Sequence, residues 1–318
     1  MVDAVTIANT GFKLSVDKIK NFKVRPDDIF LLTFPKSGTT WMKEILPLVM
    51  NGGDIDAITG TPRDVLVPYL EFQLSADDDP VMRGIQKQML IPDGFALDQL
   101  QSPRLLSSHL RSEFLPRDID DKRVKVIYLS RNPKDVAISS YYFLKAMQSS
   151  GIVASNESSQ AKAKAYQFNE FFPEFLEMKG RTHKVHHDGT KWHEHVLPWW
   201  EKRYDRNVLF LKYEDMIRDL KSCVRQIANF LNVPLSDRAL DKISDHCSFQ
   251  SMKNNQMALR SNYCTNVLGV KAEEGSPFVR IGGVGGWKNT FTVAQNEMFD
   301  EIYQEWIRGS DIEMTFGL

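Results

Sequence analysis

The sequence predicts an α/β fold: a single domain with a mainly parallel central sheet, helices on both faces, and a P-loop-like strand-loop-helix segment near the N-terminus. Three observations carry this prediction. Four short runs rich in Val, Ile, Leu and aromatic residues, at 29–34, 104–109, 123–130 and 208–213, are bounded by polar residues or Pro. Segments of helical period follow such runs, and strands alternating with helices favour parallel pairing with both sheet faces covered. Finally, 318 residues with 42% hydrophobic content can bury a sizeable core, and no composition break marks a linker. Residues 1–318 are therefore read as one domain, with 1–21 a loosely ordered lead-in.

The first strand stops at Pro35 and gives way to KSGTT at the start of a helix. Gly38 lets the backbone approach an anion, Ser37, Thr39 and Thr40 add hydroxyl donors, and Lys36 adds a mobile charge beside the helix N-terminus. This suits a phosphate or a sulfate; a plain strand-to-helix turn is the alternative. Lys36 precedes its glycine, so the Walker pattern is absent and an ATPase is disfavoured. Met42, Ile45, Leu46 and Val49 share one face of the following helix. Pro47 cannot donate to the carbonyl of Lys43 and is expected to kink or shorten it.

The strand 123–130 ends at Arg131, where Asn132 or Asp135 can cap the next helix, Pro133 suits its first turn, and Ser139 lies one turn beyond Asp135. Arg131 and Ser139 would form a second anion clamp on the same sheet edge. The alternatives are a surface ion pair for Arg131 and a bond to the Asp135 carbonyl for Ser139. Phe299, Ile302, Tyr303 and Trp306 predict an amphipathic helix over 297–308. The stretches 51–64, 148–164 and 254–277 lack periodicity, and the last, just before a glycine-rich segment, is a candidate lid.

Forty basic and 41 acidic residues leave a net charge of -1, which offers neither nucleic acid nor an anionic membrane as a partner, so any anion site must be local. The first twenty residues hold no basic segment followed by a long apolar core, and no apolar run is long enough to span a bilayer. Cys223, Cys247 and Cys264 are odd in number and unpatterned, which fits a reducing compartment. A cytoplasmic protein is expected. Five of the seven histidines, His183, His186, His187, His193 and His195, crowd into 183–195. H-E-H is not H-E-x-x-H and no cysteine lies nearby, so a solvated loop is expected there and no metal.

Four segments together resemble the motif series of the cytosolic sulfotransferases: TFPKSGTTW at 33–41, RNPKDVAISSYYF at 131–143, YEDM at 213–216 and GWKNTFTVAQNE at 286–297. They follow one another in the family's order. The resemblance implies 3′-phosphoadenosine 5′-phosphosulfate (PAPS) as sulfuryl donor, leaving as the 3′,5′-bisphosphate PAP. Residues Lys36, Ser37, Gly38, Thr39, Thr40 and Trp41 would hold its phosphosulfate end, Arg131 and Ser139 its 3′-phosphate, and Tyr213 and Trp41 would lie by the adenine. CSFQSM at 247–252 resembles a nucleotide-contacting Thr-Ser-Phe segment, which adds Cys247, Ser248, Phe249 and Met252. FVRIGG adds Phe278, Val279, Arg280, Ile281 and Gly282; Ile281 stands where the family has lysine, and Gly286 where it has aspartate.

By the same resemblance His109 is the base that takes the acceptor's proton, a task suited to a neutral imidazole. Ser107 stands where the family usually has lysine. Ser107, Ser108, His109 and Phe143 would border the acceptor, Lys36 would stabilise charge on the departing oxygen, and Ser139 would hold Lys36 away from the sulfonate until the acceptor arrives. Lys288, Thr292, Val293 and Glu297 match K-x-x-x-T-V-x-x-x-E, which implies a homodimer through 288–297. The sequence thus points to sulfuryl transfer onto a hydroxyl or amine of a small, mostly apolar acceptor, with 67–72, Tyr142, Phe143 and 257–268 as pocket candidates. Two rivals remain open at this point: a binding protein of the same fold with an eroded site, and a small-molecule kinase.

Overall fold

The computed structural model describes residues 15–76, 80–149, 166–180, 182, 185–186, 188–259 and 279–318. Four strands, β1 (Ile29–Thr33), β2 (Leu105–Ser108), β3 (Lys125–Ser130) and β4 (Val208–Lys212), form one sheet in the order β2-β1-β3-β4. Every pairing is parallel, with Leu31 opposite Ser107 and Ile127, and Ile127 opposite Leu209. All four carboxyl ends therefore point the same way, and β1 and β3, at the centre, deliver their following loops side by side.

The strands alternate between two cores. Phe30 and Leu32 of β1 join Leu106, Val126 and Tyr128 on one face. Ile29 and Leu31 join Leu105, Ile127 and Leu129 on the other. Period-2 alternation with both sides apolar is what a sheet covered by helices on each face requires. The helix Thr39–Met50 lies against one face through Met42, Ile45, Leu46 and Val49. The helix Pro133–Ser149 covers the other through Val136, Ala137, Ile138 and Leu144.

Several boundaries differ from the sequence reading. β3 starts at Lys125 because Arg123 is a left-handed residue closing the short helix Asp118–Lys122. The last helix is Val293–Trp306, starting four residues before the predicted 297: Thr292 and Gln295 form a reciprocal capping box. The helix around Pro47 continues to Met50, where Asn51 donates to the Pro47 carbonyl. The nominally unpatterned 51–64 holds a 3₁₀ turn at Asp56–Ile58 and the start of the helix Arg63–Leu66. Residues 150–165 and 260–278, with Phe278, Cys264 and most of the candidate lid, lie outside the described residues. Among the described residues no helix is long and apolar enough to cross a membrane.

Candidate active site

The loop after β1 is built as a cradle. Lys36 and Gly38 both take left-handed backbone conformations, with φ of 69° and 115°. A side chain at Gly38 would put its Cβ 2.9 Å from Cδ2 of Tyr213 and 3.1 Å from Leu129, so only glycine fits. The turn aims the first N–H groups of the helix Thr39–Met50 past the sheet edge, the positive end of its dipole. Ser37 is fully buried and its hydroxyl has no hydrogen-bond partner among the described residues. An orphaned buried hydroxyl at a helix N-terminus fits an anionic ligand. Lys36 extends its ammonium over the Phe143 ring, 4.1 Å from the centroid.

The β3 edge supplies the second cluster. Asn132 caps its helix by accepting from the Asp135 N–H at 2.9 Å. The buried Glu214 of YEDM accepts from the Asn132 N–H and side-chain amide, at 2.8 and 2.9 Å. Burial pushes the Glu214 carboxyl up, against the lowering effect of those bonds. Arg131 lies over the Tyr213 ring, 4.3 Å from its centroid, and donates to the carbonyls of Lys36 and Gly283 at 3.3 and 3.1 Å. It thereby bridges the cradle to the glycine-rich segment, while its Nε is buried without a partner among the described residues. Ser139 projects from the same helix, partly exposed, with no hydrogen bond among the described residues.

Asp135 holds the glycine-rich segment from below, accepting from the N–H groups of Gly285 and Trp287 at 2.8 and 3.1 Å. Gly282 is pressed on the Phe249 ring so closely that a Cβ would fall 1.9 Å from Cδ2. Ser248 caps the helix Phe249–Asn254, Met252 is buried beneath it, and the Cys247 carbonyl accepts the Trp41 indole N–H at 2.7 Å. Trp41 and Tyr213 meet edge to face at 5.4 Å. Burial pushes the Cys247 thiol far up, so it sits there as an inert packing group. Val279, Arg280 and Ile281 are partly or fully exposed, with Arg280 stacked on Tyr142 at 4.2 Å.

His109 closes the opposite side, just beyond β2. Its Nδ1 lies 2.9 Å from the Thr33 carbonyl and 3.0 Å from the Thr33 hydroxyl. A carbonyl only accepts, so Nδ1 carries the proton and Nε2 keeps its lone pair. The backbone around His109 is fixed from two directions. Its N–H donates to Glu71 at 2.9 Å, and its carbonyl accepts from Nε2 of His195 at 3.1 Å. Burial lowers the pKa of His195, whose Nδ1 accepts a hydrogen bond from the Tyr128 hydroxyl at 2.7 Å. Glu71 is fully buried, which pushes its carboxyl up to about 7. Tyr69 tilts against the His109 ring at 4.9 Å, and on its other contact the Lys43 ammonium, paired with Asp64 at 2.8 Å, lies 3.3 Å from the Tyr69 centroid.

The structure thus brings the cradle, Arg131, Ser139, His109 and Tyr213 to one sheet edge. Ser107 is different: it is fully buried, its hydroxyl donating to the carbonyls of Val67 and Pro68 at 3.3 and 3.1 Å. The Ser108 Oγ accepts the Leu110 N–H at 3.1 Å, and its hydroxyl bonds to the Glu71 carboxyl. Thr33, Lys43, His195 and Glu214 have no site role in the sequence reading, where Asp135 is only a possible helix cap and Glu71 only part of the pocket candidate 67–72. In the histidine tract, His195 lies in the helix Trp192–Glu201 and His186 stacks on Phe34 at 4.7 Å, while His183 and His187 lie outside the described residues. Among the described residues no group of three or more His, Cys, Asp or Glu could hold a metal ion.

A family model for the sulfotransferase domain matches residues 26–311. Sulfotransferase 1E1 of Bos taurus is 39% identical over 302 residues, covering 93% of this chain and 88% of that protein. Sulfotransferase 1A1 of Rattus norvegicus is 36% identical over 310 residues, covering 96% and 94%. Among solved structures, retinol dehydratase in complex with retinol and PAP superposes with a TM-score of 0.75 at 26% identity, covering 96% of this chain and 89% of that one. Mouse sulfotransferase SULT7A1 complexed with PAP gives 0.63 at 27% identity, covering 93% and 90%.

Proposed function

The chain belongs to the sulfotransferase family, and from that premise we infer that it is a PAPS-dependent sulfotransferase acting on a small-molecule acceptor. One observation carries the reading to this site: the Ser37 hydroxyl, orphaned among the described residues in a glycine cradle, the Arg131 bridge and a histidine anchored through Nδ1 to Thr33 share one sheet edge. Lys36, Ser37, Gly38, Thr39, Thr40 and Trp41 would hold the phosphosulfate end. The Arg131 Nε, Ser139, Arg280 and the Gly282 loop would hold the 3′-phosphate. When bound, PAPS supplies the sulfuryl group and leaves as PAP.

The chain's residues act by position and charge. Nε2 of His109 takes the proton of the acceptor hydroxyl or amine as its oxygen or nitrogen bonds to sulfur. The bond to the bridging oxygen breaks, and Lys36 with the cradle N–H groups stabilises the charge left on that oxygen. Glu71 and His195 keep His109 in place from behind. Tyr69 and Phe72, in ring contact at 5.0 Å, give the His109 side an apolar wall that suits an apolar acceptor such as a phenol, sterol or other alcohol. Retinol and androsterone occupy complexes of the retinol dehydratase neighbour, and both are apolar alcohols.

A homodimer would form through 288–297, supported by Val293 and Met298, apolar residues 75% and 51% exposed on the first turns of one helix. A cytoplasmic location fits the cysteine usage. The decisive assay supplies ³⁵S-labelled PAPS with a panel of phenols, sterols, alcohols and amines, alongside calorimetry with PAP. Label should move to at least one acceptor. PAP binding without transfer to any acceptor would favour a binding protein, and use of ATP as donor would favour a kinase.

A further inference from the structure

Thr33, the last residue of β1, is fully buried between the two halves of the site. Its hydroxyl lies 3.0 Å from Nδ1 of His109 and 2.7 Å from the hydroxyl of Thr39, the first residue of the cradle helix. Nδ1 carries a proton because it also faces the Thr33 carbonyl at 2.9 Å. A protonated Nδ1 has no ring-plane lone pair to offer, so the Thr33 hydroxyl can only accept from it, sharing the one N–H with the Thr33 carbonyl, and among the described residues its own proton is directed to Oγ1 of Thr39. Thr39 in turn has no other hydrogen-bond partner among the described residues, and its proton is left to point at the anion cradle. An anion over that helix turn recruits the Thr39 proton and fixes the order of every bond behind it. Bonds aligned head to tail polarise one another, the more so in a buried setting.

We propose that Thr33 is a positioning residue that couples occupancy of the anion cradle to the base, through a one-way chain from His109 Nδ1 to the Thr33 hydroxyl to the Thr39 hydroxyl to the bound anion. The proposal rests on the sulfuryl-transfer reading above and deepens it. Its consequence is that a loaded cradle sharpens His109 as a base: the donor nucleotide draws on Nδ1–H and makes the Nε2 lone pair more available. Loading of the donor and readiness of the base become one event, achieved with no movement of the backbone.

The test uses the whole chain with ¹⁵N-labelled histidine and PAP as probe. In wild type, PAP should shift the His109 Nδ1 resonance, assigned with a His109→Gln variant. Thr33→Ser should keep that response. Thr33→Val, which removes the hydroxyl, should lose most of it, with kcat down about tenfold while the Kd for PAP stays within about twofold, as expected of a group that orients another side chain. A PAP response in Thr33→Val equal to wild type would mean that the anion acts on His109 through space, and the proposal fails. A loss of PAP affinity beyond about tenfold would make Thr33 a support of the cradle instead, and also overturns it. Absence of a Nδ1 shift in wild type that binds PAP sinks the relay while leaving the family reading intact. Failure of wild type to bind PAP at all would overturn the nucleotide reading and the relay with it.

Discussion

At His109 the ring is anchored to Thr33 through Nδ1, and with the base role proposed for it His109→Ala should lower turnover by at least two decades, as removal of a general base typically does, by about 10²- to 10⁴-fold. Lys36→Ala should lose a comparable factor, about 10²- to 10³-fold for a charge-stabilising donor, with the folded state intact in both variants by circular dichroism. Near-wild-type turnover in His109→Ala would place the base elsewhere. Glu71 gives a pH test at the same scale. Its folded carboxyl, near 7, lies above the ordinary value of 4.5, so folding favours its protonated form. Stability from this group is full below about pH 4.5 and declines as pH rises through 7, by about 3 kcal/mol in order of magnitude. Glu71→Gln should therefore gain melting temperature relative to wild type at pH 8 but not at pH 4.5; an equal difference at both would contradict the burial account. Ile281, 49% exposed where the family resemblance puts a lysine, makes the third case. Ile281→Lys should tighten PAP by about tenfold, the weight of one charge-assisted bond, and adenosine 5′-phosphosulfate, without a 3′-phosphate, should gain little in calorimetry.

Among the elements, the strands and the two loops after β1 and β3 were legible because each is a local signal: an apolar run, a Pro or Gly, a cap. The helix start at Val293 was legible too, in the Thr292 and Gln295 pair, but amphipathic spacing alone pointed four residues later. What stayed hidden depends on partners far apart in sequence. His109 meets Thr33 across 76 positions, Glu71 across 38 and His195 across 86. Nothing in a one-dimensional pattern distinguishes Glu71 in an apolar stretch from a surface carboxylate. Ser107, read as a site position from the family resemblance, donates its hydroxyl to the carbonyls of Val67 and Pro68. The Gly282 turn shows how closely these elements are fitted. Its φ of 64° and its contact with Phe249 leave no space for a methyl group. Gly282→Ala should displace the loop from the helix Phe249–Asn254 and weaken PAP by about tenfold or more, at an energetic cost of roughly 1 to 3 kcal/mol for the strained conformation. Unchanged PAP affinity would show that the loop takes no part in holding the nucleotide.

For the whole molecule, the fold class followed from strand and helix alternation, and the sheet is parallel throughout its four strands. Quaternary structure is the property to test at this scale: Val293→Glu places a charge in the proposed apolar contact and should convert dimers to monomers in sedimentation, whereas an unchanged mass would move the interface away from 288–297. The Asp135 clamp on Gly285 and Trp287 has a further consequence for how the protein is made. The two sides of that clamp are 150 positions apart. At roughly 5 to 20 residues per second on a ribosome, Asp135 waits about 8 to 30 s for its partners to be synthesised. During that interval β1, β3 and the cradle can already pair, yet the Asp135 carboxylate has the Asn132 amide but neither of the Gly285 and Trp287 N–H groups. A nascent chain stalled before residue 285 should thus bind an adenine nucleotide far more weakly than the released protein, and competence for the donor arises late in translation.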